Sequence, residues 1–87
     1  MHFEDVKGLR LDKLTAEAPA ADQPLVRMVD VQDCVVTGCA APRKVNVAIE
    51  VRGADSREIR LVANDFSRCA KAVAVADGAT ESAVTTL

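Results

Sequence analysis

The stretch "GADSREIRLVANDF", residues 53–66, sets Asp55, Arg57, Glu58 and Arg60 among alternating aliphatics and closes on an Asn and a Phe. Its apolar positions recur at a fixed interval. Leu9, Cys34, Ile59 and Val84 stand 25 residues apart, as do Leu11, Val36 and Leu61, and again Leu14, Cys39 and Asn64. Val6 is followed by Val31, Gly53 by Gly78 and Ala54 by Ala79 at the same spacing. Internal repetition at such a period is the mark of a coiled, layered architecture.

Within each copy the pattern is apolar, any, apolar ("LRL" at 9–11, "CVV" at 34–36, "IRL" at 59–61), which is the period of a strand and not of a helix. Further apolar stretches precede these: "LVRMV" at 25–29, "VNVAIEV" at 45–51 and "AVAVA" at 72–76. Corners rich in Gly, Pro, Asp and Ser separate them, at "RGADS", "APRK" and "ADGATES". Short strands repeated with no helix between them predict an all-β chain, wound as a parallel β-helix (solenoid) of three to four turns with a 25-residue repeat. Each strand then pairs with its equivalent one turn on, about 4.8 Å away. The expectation is one segment over residues 1–87, part of a longer coil, with a longer loop at 16–24 ("AEAPAADQP") leaving the first turn.

The same arithmetic predicts the outer wall. Asp5, Asp30 and Asp55 form a carboxylate column, flanked by Lys7, Gln32 and Arg57. Asn64 falls in the Leu14–Cys39 column at a corner, where its side chain either permits unusual dihedrals or bonds exposed backbone. Phe66 is expected to cover the interior.

Composition bounds the rest. The chain has 87 residues, 49% hydrophobic but only 2% aromatic, so its core is built from Val, Leu, Ile and Ala in small layers. Eleven basic and 13 acidic residues are well mixed, giving a net charge of -2; without a basic stripe or an aromatic platform, nucleic-acid binding is not expected. No apolar run approaches the ~20 residues of a membrane helix, and "MHFEDVKG" lacks the pattern of a secretory signal. Cys34, Cys39 and Cys69 form no CxxC pair, and the one histidine is His2, so neither zinc nor a disulfide framework is expected.

The phrases "FEDVKGLRLDKLTAEAPAADQPLVRMVDVQDCVVTGCAAP" (3–42) and "IEVRGADSREIRLVANDF" (49–66) resemble the C-terminal coils of bacterial polygalacturonase-like glycoside hydrolases, of the pectin-degrading β-helix superfamily. The resemblance covers nearly the whole chain and concerns its scaffold. It implies a right-handed coil and a parent protein that acts on polysaccharide. The family's Asn-Thr-Asp, Asp-Asp, Gly-His-Gly and Arg-x-Lys segments do not occur here, so no catalytic residue is carried over.

Candidate sites are weighed against simpler readings. The Asp5, Asp30 and Asp55 column offers hard oxygen ligands suited to calcium, but a solvated face balanced by Lys7 and Arg57 is preferred. Asp33 and Glu58, one repeat apart, are the nearest to a glycosidase carboxylate pair, and nothing in the sequence marks them as buried. Arg43 and Lys44 form a basic corner after Pro42, suited to an acidic polysaccharide but read as an exposed turn. Arg68 and Lys71 would favour a Cys69 thiolate were it exposed; a packed cysteine is preferred. No catalytic, cofactor-binding or metal-binding residue is therefore assigned. The expectation is a scaffold segment of a polysaccharide-degrading β-helix protein, not catalytic by itself. The alternative is a stand-alone module that self-associates through exposed strand edges.

Overall fold

A computed structural model describes residues 1–14, 22–41 and 44–86. Eight strands follow in order: β1 (His2–Glu4), β2 (Lys7–Asp12), β3 (Val26–Val29), β4 (Gln32–Thr37), β5 (Val45–Arg52), β6 (Arg57–Val62), β7 (Cys69–Ala76) and β8 (Val84–Thr86). A short 3₁₀ turn, Glu81–Ala83, precedes β8, and no α-helix occurs among the described residues. The odd strands form one four-stranded parallel sheet, β1-β3-β5-β7, and the even strands a second, β2-β4-β6-β8. The chain is thus a β-solenoid of about three turns, four strands deep in each sheet. A third side is closed without a strand pair, by an isolated parallel bridge between Ala40 and Asp65.

The predicted columns are present in the second sheet. Leu9, Cys34, Ile59 and Val84 are partners in successive strands, as are Leu11, Val36, Leu61 and Thr86. In the first sheet the inward column is Phe3, Met28, Val51 and Val75. Middle members of these columns are buried (Met28, Cys34, Val36, Val51, Ile59, Leu61), while the end members Phe3, Leu9, Leu11, Val75 and Val84 are only partly covered. Phe66 packs against this core, as its position predicts.

The first sheet departs from the constant interval. Val26 pairs with Ile49 and Ile49 with Val73, steps of 23 and 24 residues, whereas the second sheet keeps 25 throughout. The corner between β5 and β6, Gly53–Ser56, is longer than the Asp30–Val31 corner between β3 and β4, and this restores the interval lost on the preceding side. Three expected columns are corrected as a result. Gly78 stacks on Ala54, whose Cβ lies 3.3 Å from where a Gly78 Cβ would stand, so Gly53 does not pair with Gly78 nor Ala54 with Ala79. Asp30 is level with Gly53 and not with Asp55, because Val29 pairs with Arg52.

The corners have a common backbone cause. Among the described residues, every positive φ except that of Gly78 falls in one of three columns. Asp5, Asp30, Gly53 and Asp77 end the strands of the first sheet at φ 54, 52, 97 and 54. Gly8, Asp33 and Glu58 bend the second sheet near its start, at φ 79, 56 and 54. Lys13, Gly38 and Ala63 end it, at φ 53, 63 and 53. A left-handed residue turns the chain sharply without breaking the ladder. Asp5, Asp30 and Gly53 each donate an N–H to the next layer, to the carbonyls of Val29, Arg52 and Ala76 at 2.9, 2.9 and 3.2 Å.

The core contains polar groups, and each is satisfied. Ser56 continues the Val6–Val31 column inward, and its hydroxyl donates to the Arg52 carbonyl at 2.7 Å. Asn64 accepts the Cys39 N–H at Oδ1, 2.8 Å, and donates from Nδ2 to the Val36 carbonyl at 2.9 Å. Its φ is not left-handed, so of the two predicted roles the backbone-bonding one holds. No buried side-chain nitrogen or oxygen among the described residues lacks a partner.

Candidate functional site

The outer wall carries most of the charge, and its geometry assigns structural tasks to it. Asp30 lies over Gly53, and its Oδ1 accepts the Asp55 N–H at 3.3 Å. The expected three-carboxylate column therefore ends at Asp30, and Asp55 supplies a backbone donor in place of a ligand. No group of three or more His, Cys, Asp or Glu residues suited to a metal occurs among the described residues. The basic column does form: Lys7 pairs with Gln32 and Gln32 with Arg57, whose guanidinium donates to the Gln32 amide oxygen at 3.1 Å.

Asp33 and Glu58 occupy equivalent left-handed positions and are both exposed. Asp33 faces Arg60 at 3.5 Å. Both acids sit where the strand must bend, at the position that Gly8 holds in the first layer. Of the basic corner, Pro42 and Arg43 lie outside the described residues, and Lys44 is exposed. The predicted loop at 16–24 lies outside them too, apart from Asp22–Pro24.

The most organised ionic cluster was not legible in the sequence. Glu50 on β5 receives Arg27 from β3 at 2.8 Å and Arg52 from its own strand. Arg52 also reaches Asp77, one layer on, at 2.8 Å. Burial pushes the Glu50 carboxyl up, but hydrogen bonds from Arg52 and Arg27 outweigh this and hold it below the usual carboxylate range. The signal would have been an acid and a base of neighbouring layers brought side by side by the 23-residue step, which a uniform interval hides. The cluster ties three layers together on the outside of the first sheet.

The cysteines are free thiols. Burial, aided by the neighbouring Asp33 charge, raises the Cys34 thiol to about 11. Cys69 is half-buried against the core, and burial raises its thiol as well, which favours the packed reading over the reactive one.

What remains are the two ends of the coil. At one end, Phe3, Val6, Leu9, Leu11 and Leu14 are incompletely covered. At the other, Val73, Val75 and Val84 line an open depression rimmed by Lys71, Glu81 and Thr86. A second depression beside it is bounded by Leu61, Ala63, Asn64, Phe66, Ala72 and Thr86. Each end also presents an unpaired strand from both sheets. An apolar centre, a polar rim and open backbone groups are what another strand layer requires.

Comparison with known protein families, with curated proteins and with solved structures finds no match.

Proposed function

We propose that this chain is a scaffold section of a parallel β-solenoid, whose task is to receive further layers at its ends and to hold them in register. One observation carries the reading: columns that are fully buried in the middle layers run on, half-covered, into both terminal layers. Ile59 and Cys34 are buried, whereas Leu9 and Val84 in the same column are not. A residue of this size gains about 1.5–3 kcal/mol on full burial, so each added layer stabilises the coil.

The resemblance to the terminal coils of polygalacturonase-like hydrolases supports this role within a polysaccharide-degrading protein. In that setting the cleaving carboxylates belong to other turns, and these layers support them.

The test is to extend the coil. A copy of residues 38–62 appended after residue 87 supplies one more third side and one more strand to each sheet. The expected result is a higher urea midpoint with a larger m-value, because more surface is buried cooperatively. An unchanged midpoint would show that the ends do not accept layers. Turnover of polygalacturonate by the 87 residues alone would overturn the scaffold assignment.

A further inference from the structure

We propose that the Asp77–Gly78 bond is a modification site, where the chain converts its own aspartate to isoaspartate and Arg52 restrains the conversion. The proposal is independent of the scaffold role and concerns one corner of the first sheet.

Asp77 follows the last residue of β7, in the column of left-handed corners that also holds Asp5, Asp30 and Gly53. Asp5, Asp30 and Asp77 share one backbone shape, with φ 54, 52 and 54, but the residues after them are Val6, Val31 and Gly78. Asp77–Gly78 is the one Asp–Gly pair in the chain. The Ala79 N–H donates to the Ala76 carbonyl at 3.1 Å. Both residues between them have positive φ, 54 and 92, the pattern of a type I′ turn. The closing bond uses Ala79, and the Gly78 N–H has no hydrogen-bond partner among the described residues.

A backbone nitrogen with no partner and no side chain beside it is open to the neighbouring carboxyl. Attack of the Gly78 nitrogen on Asp77 Cγ, in the protonated acid, forms a C–N bond and a five-membered imide. The amide proton and the carboxyl hydroxyl leave together as water. A second water then opens the ring. Addition at Cγ returns aspartate, whereas addition at the former main-chain carbonyl gives isoaspartate, whose main chain runs through Cβ and gains one carbon.

The other corners resist this chemistry. At Asp5 and Asp30 a valine side chain crowds the equivalent nitrogen. Asp55 is followed by Ser56, whose N–H is taken by the Gly53 carbonyl at 3.2 Å. Nor does the fold allow Gly78 to be replaced freely: its φ is 92, and an added Cβ would stand 3.3 Å from that of Ala54. The susceptible pair is built into the corner.

Arg52 supplies the restraint. Its Nη1 donates to Asp77 Oδ2 at 2.8 Å, while its Nε is held by Glu50. The Asp77 side chain is 64% exposed, so water reaches it and Arg52 is its one side-chain anchor among the described residues. Ring closure has to detach the carboxyl from that anchor.

The test incubates the folded 87-residue chain at neutral pH and digests samples with trypsin. Peptide 72–87 carries Asp77 as its only aspartate, and peptides 1–7 and 28–43 carry Asp5 and Asp30. Isoaspartate is read by electron-transfer fragmentation, and independently by labelling with an isoaspartate-specific methyltransferase. The expected result is isoaspartate that accumulates in 72–87 well ahead of the other two peptides. Arg52→Gln is expected to raise its rate roughly twofold to fivefold, the weight of an exposed ion pair. Raised salt screens that pair and should move the parent in the same direction. Circular dichroism checks that the variant remains folded, and Asp77→Glu should give no signal. A peptide 72–87 free of isoaspartate, or modified no faster than 1–7, would overturn the site. A rate indifferent to both Arg52→Gln and salt would overturn the restraint by Arg52.

Discussion

Cys39 and Asn64 hold equivalent positions in successive layers and face the backbone of the layer before in the same way. Asn64 accepts the N–H of the residue 25 positions back and donates to the carbonyl 28 back, Cys39 and Val36. Cys39 does the same with one soft atom: its Sγ lies 3.4 Å from the Leu14 nitrogen and 4.0 Å from the Leu11 oxygen, likewise 25 and 28 back. Sulfur accepts and donates weakly. Cys39→Asn is therefore expected to stabilise the coil by about 1 kcal/mol, the net gain of replacing weak contacts by amide hydrogen bonds. Asn64→Ala leaves a part-buried donor and acceptor unpaired and costs about 2 kcal/mol. Urea denaturation of the two variants beside the parent gives both numbers. A destabilised Cys39→Asn would show that the pocket cannot accept the amide.

The left-handed columns predict opposite outcomes for glycine at two corners. Ala63 stands at φ 53 in the column whose middle member is Gly38, and a side chain there costs about 1–2 kcal/mol. Ala63→Gly relieves this strain but loosens the unfolded chain, so a net gain of about 0.5 kcal/mol is expected. At Gly53 the change runs the other way. Its φ is 97, and an added Cβ would collide with the Asp30 carboxylate. Gly53→Ala is expected to lower the thermal midpoint by several degrees, since about 1 kcal/mol moves a domain of this size by roughly 4–8 °C. Equal midpoints for Gly53→Ala and the parent would mean that the corner can rearrange freely.

Why the sequence showed one sheet correctly and misplaced parts of the other follows from these corners. Strand period and spacing were visible in Leu9, Cys34, Ile59 and Val84 because side chains in a buried column must all be apolar. The shorter step from Val26 to Ile49 was masked, since the longer Gly53–Ser56 corner restored the interval before the next strand began. That is why a uniform interval sets Asp55 level with Asp30, a position that Gly53 takes. The signal that the slipped register leaves intact is conformational: Asp, Gly and Asp recur at corners because they tolerate left-handed dihedrals. The Glu50 cluster was hidden for the same reason as the slipped register. The open ends are legible as unpaired edges.

Glu50 makes the first sheet sensitive to acid. Its carboxyl has a lowered pKa in the folded state, so its contribution is present above the unfolded value, near 4.5, and is lost as pH falls through the lower folded value. Because both arginines are partly exposed to screening solvent, Glu50→Gln is expected to cost only about 1 kcal/mol at pH 7. The gap between variant and parent should narrow steadily as urea titrations move from pH 5 to pH 3. A gap that stays constant over that range would mean that the arginines act through packing alone.

The thiols make the opposite end of the pH scale informative. Cys34 is fully buried, and its thiol is raised from 9.0 to about 11 by burial and by the charge of Asp33. A raised folded pKa contributes stability that is complete below pH 9 and is lost as pH climbs toward 11. Alkaline titration of the folded chain should therefore show stability declining across that interval, and Cys34→Ala should flatten the decline while leaving a cavity that lowers stability at pH 7. Thiol reactivity reads the same burial independently. At pH 8 Cys34 is expected to stay unmodified by Ellman's reagent until denaturant is added, because nucleophilic attack needs both thiolate and access. Cys69, half-buried with its thiol also raised, should react more slowly than a free cysteine but ahead of Cys34. Rapid labelling of Cys34 in the native chain would mean that the layers part readily enough to expose the centre of the Leu9–Val84 column.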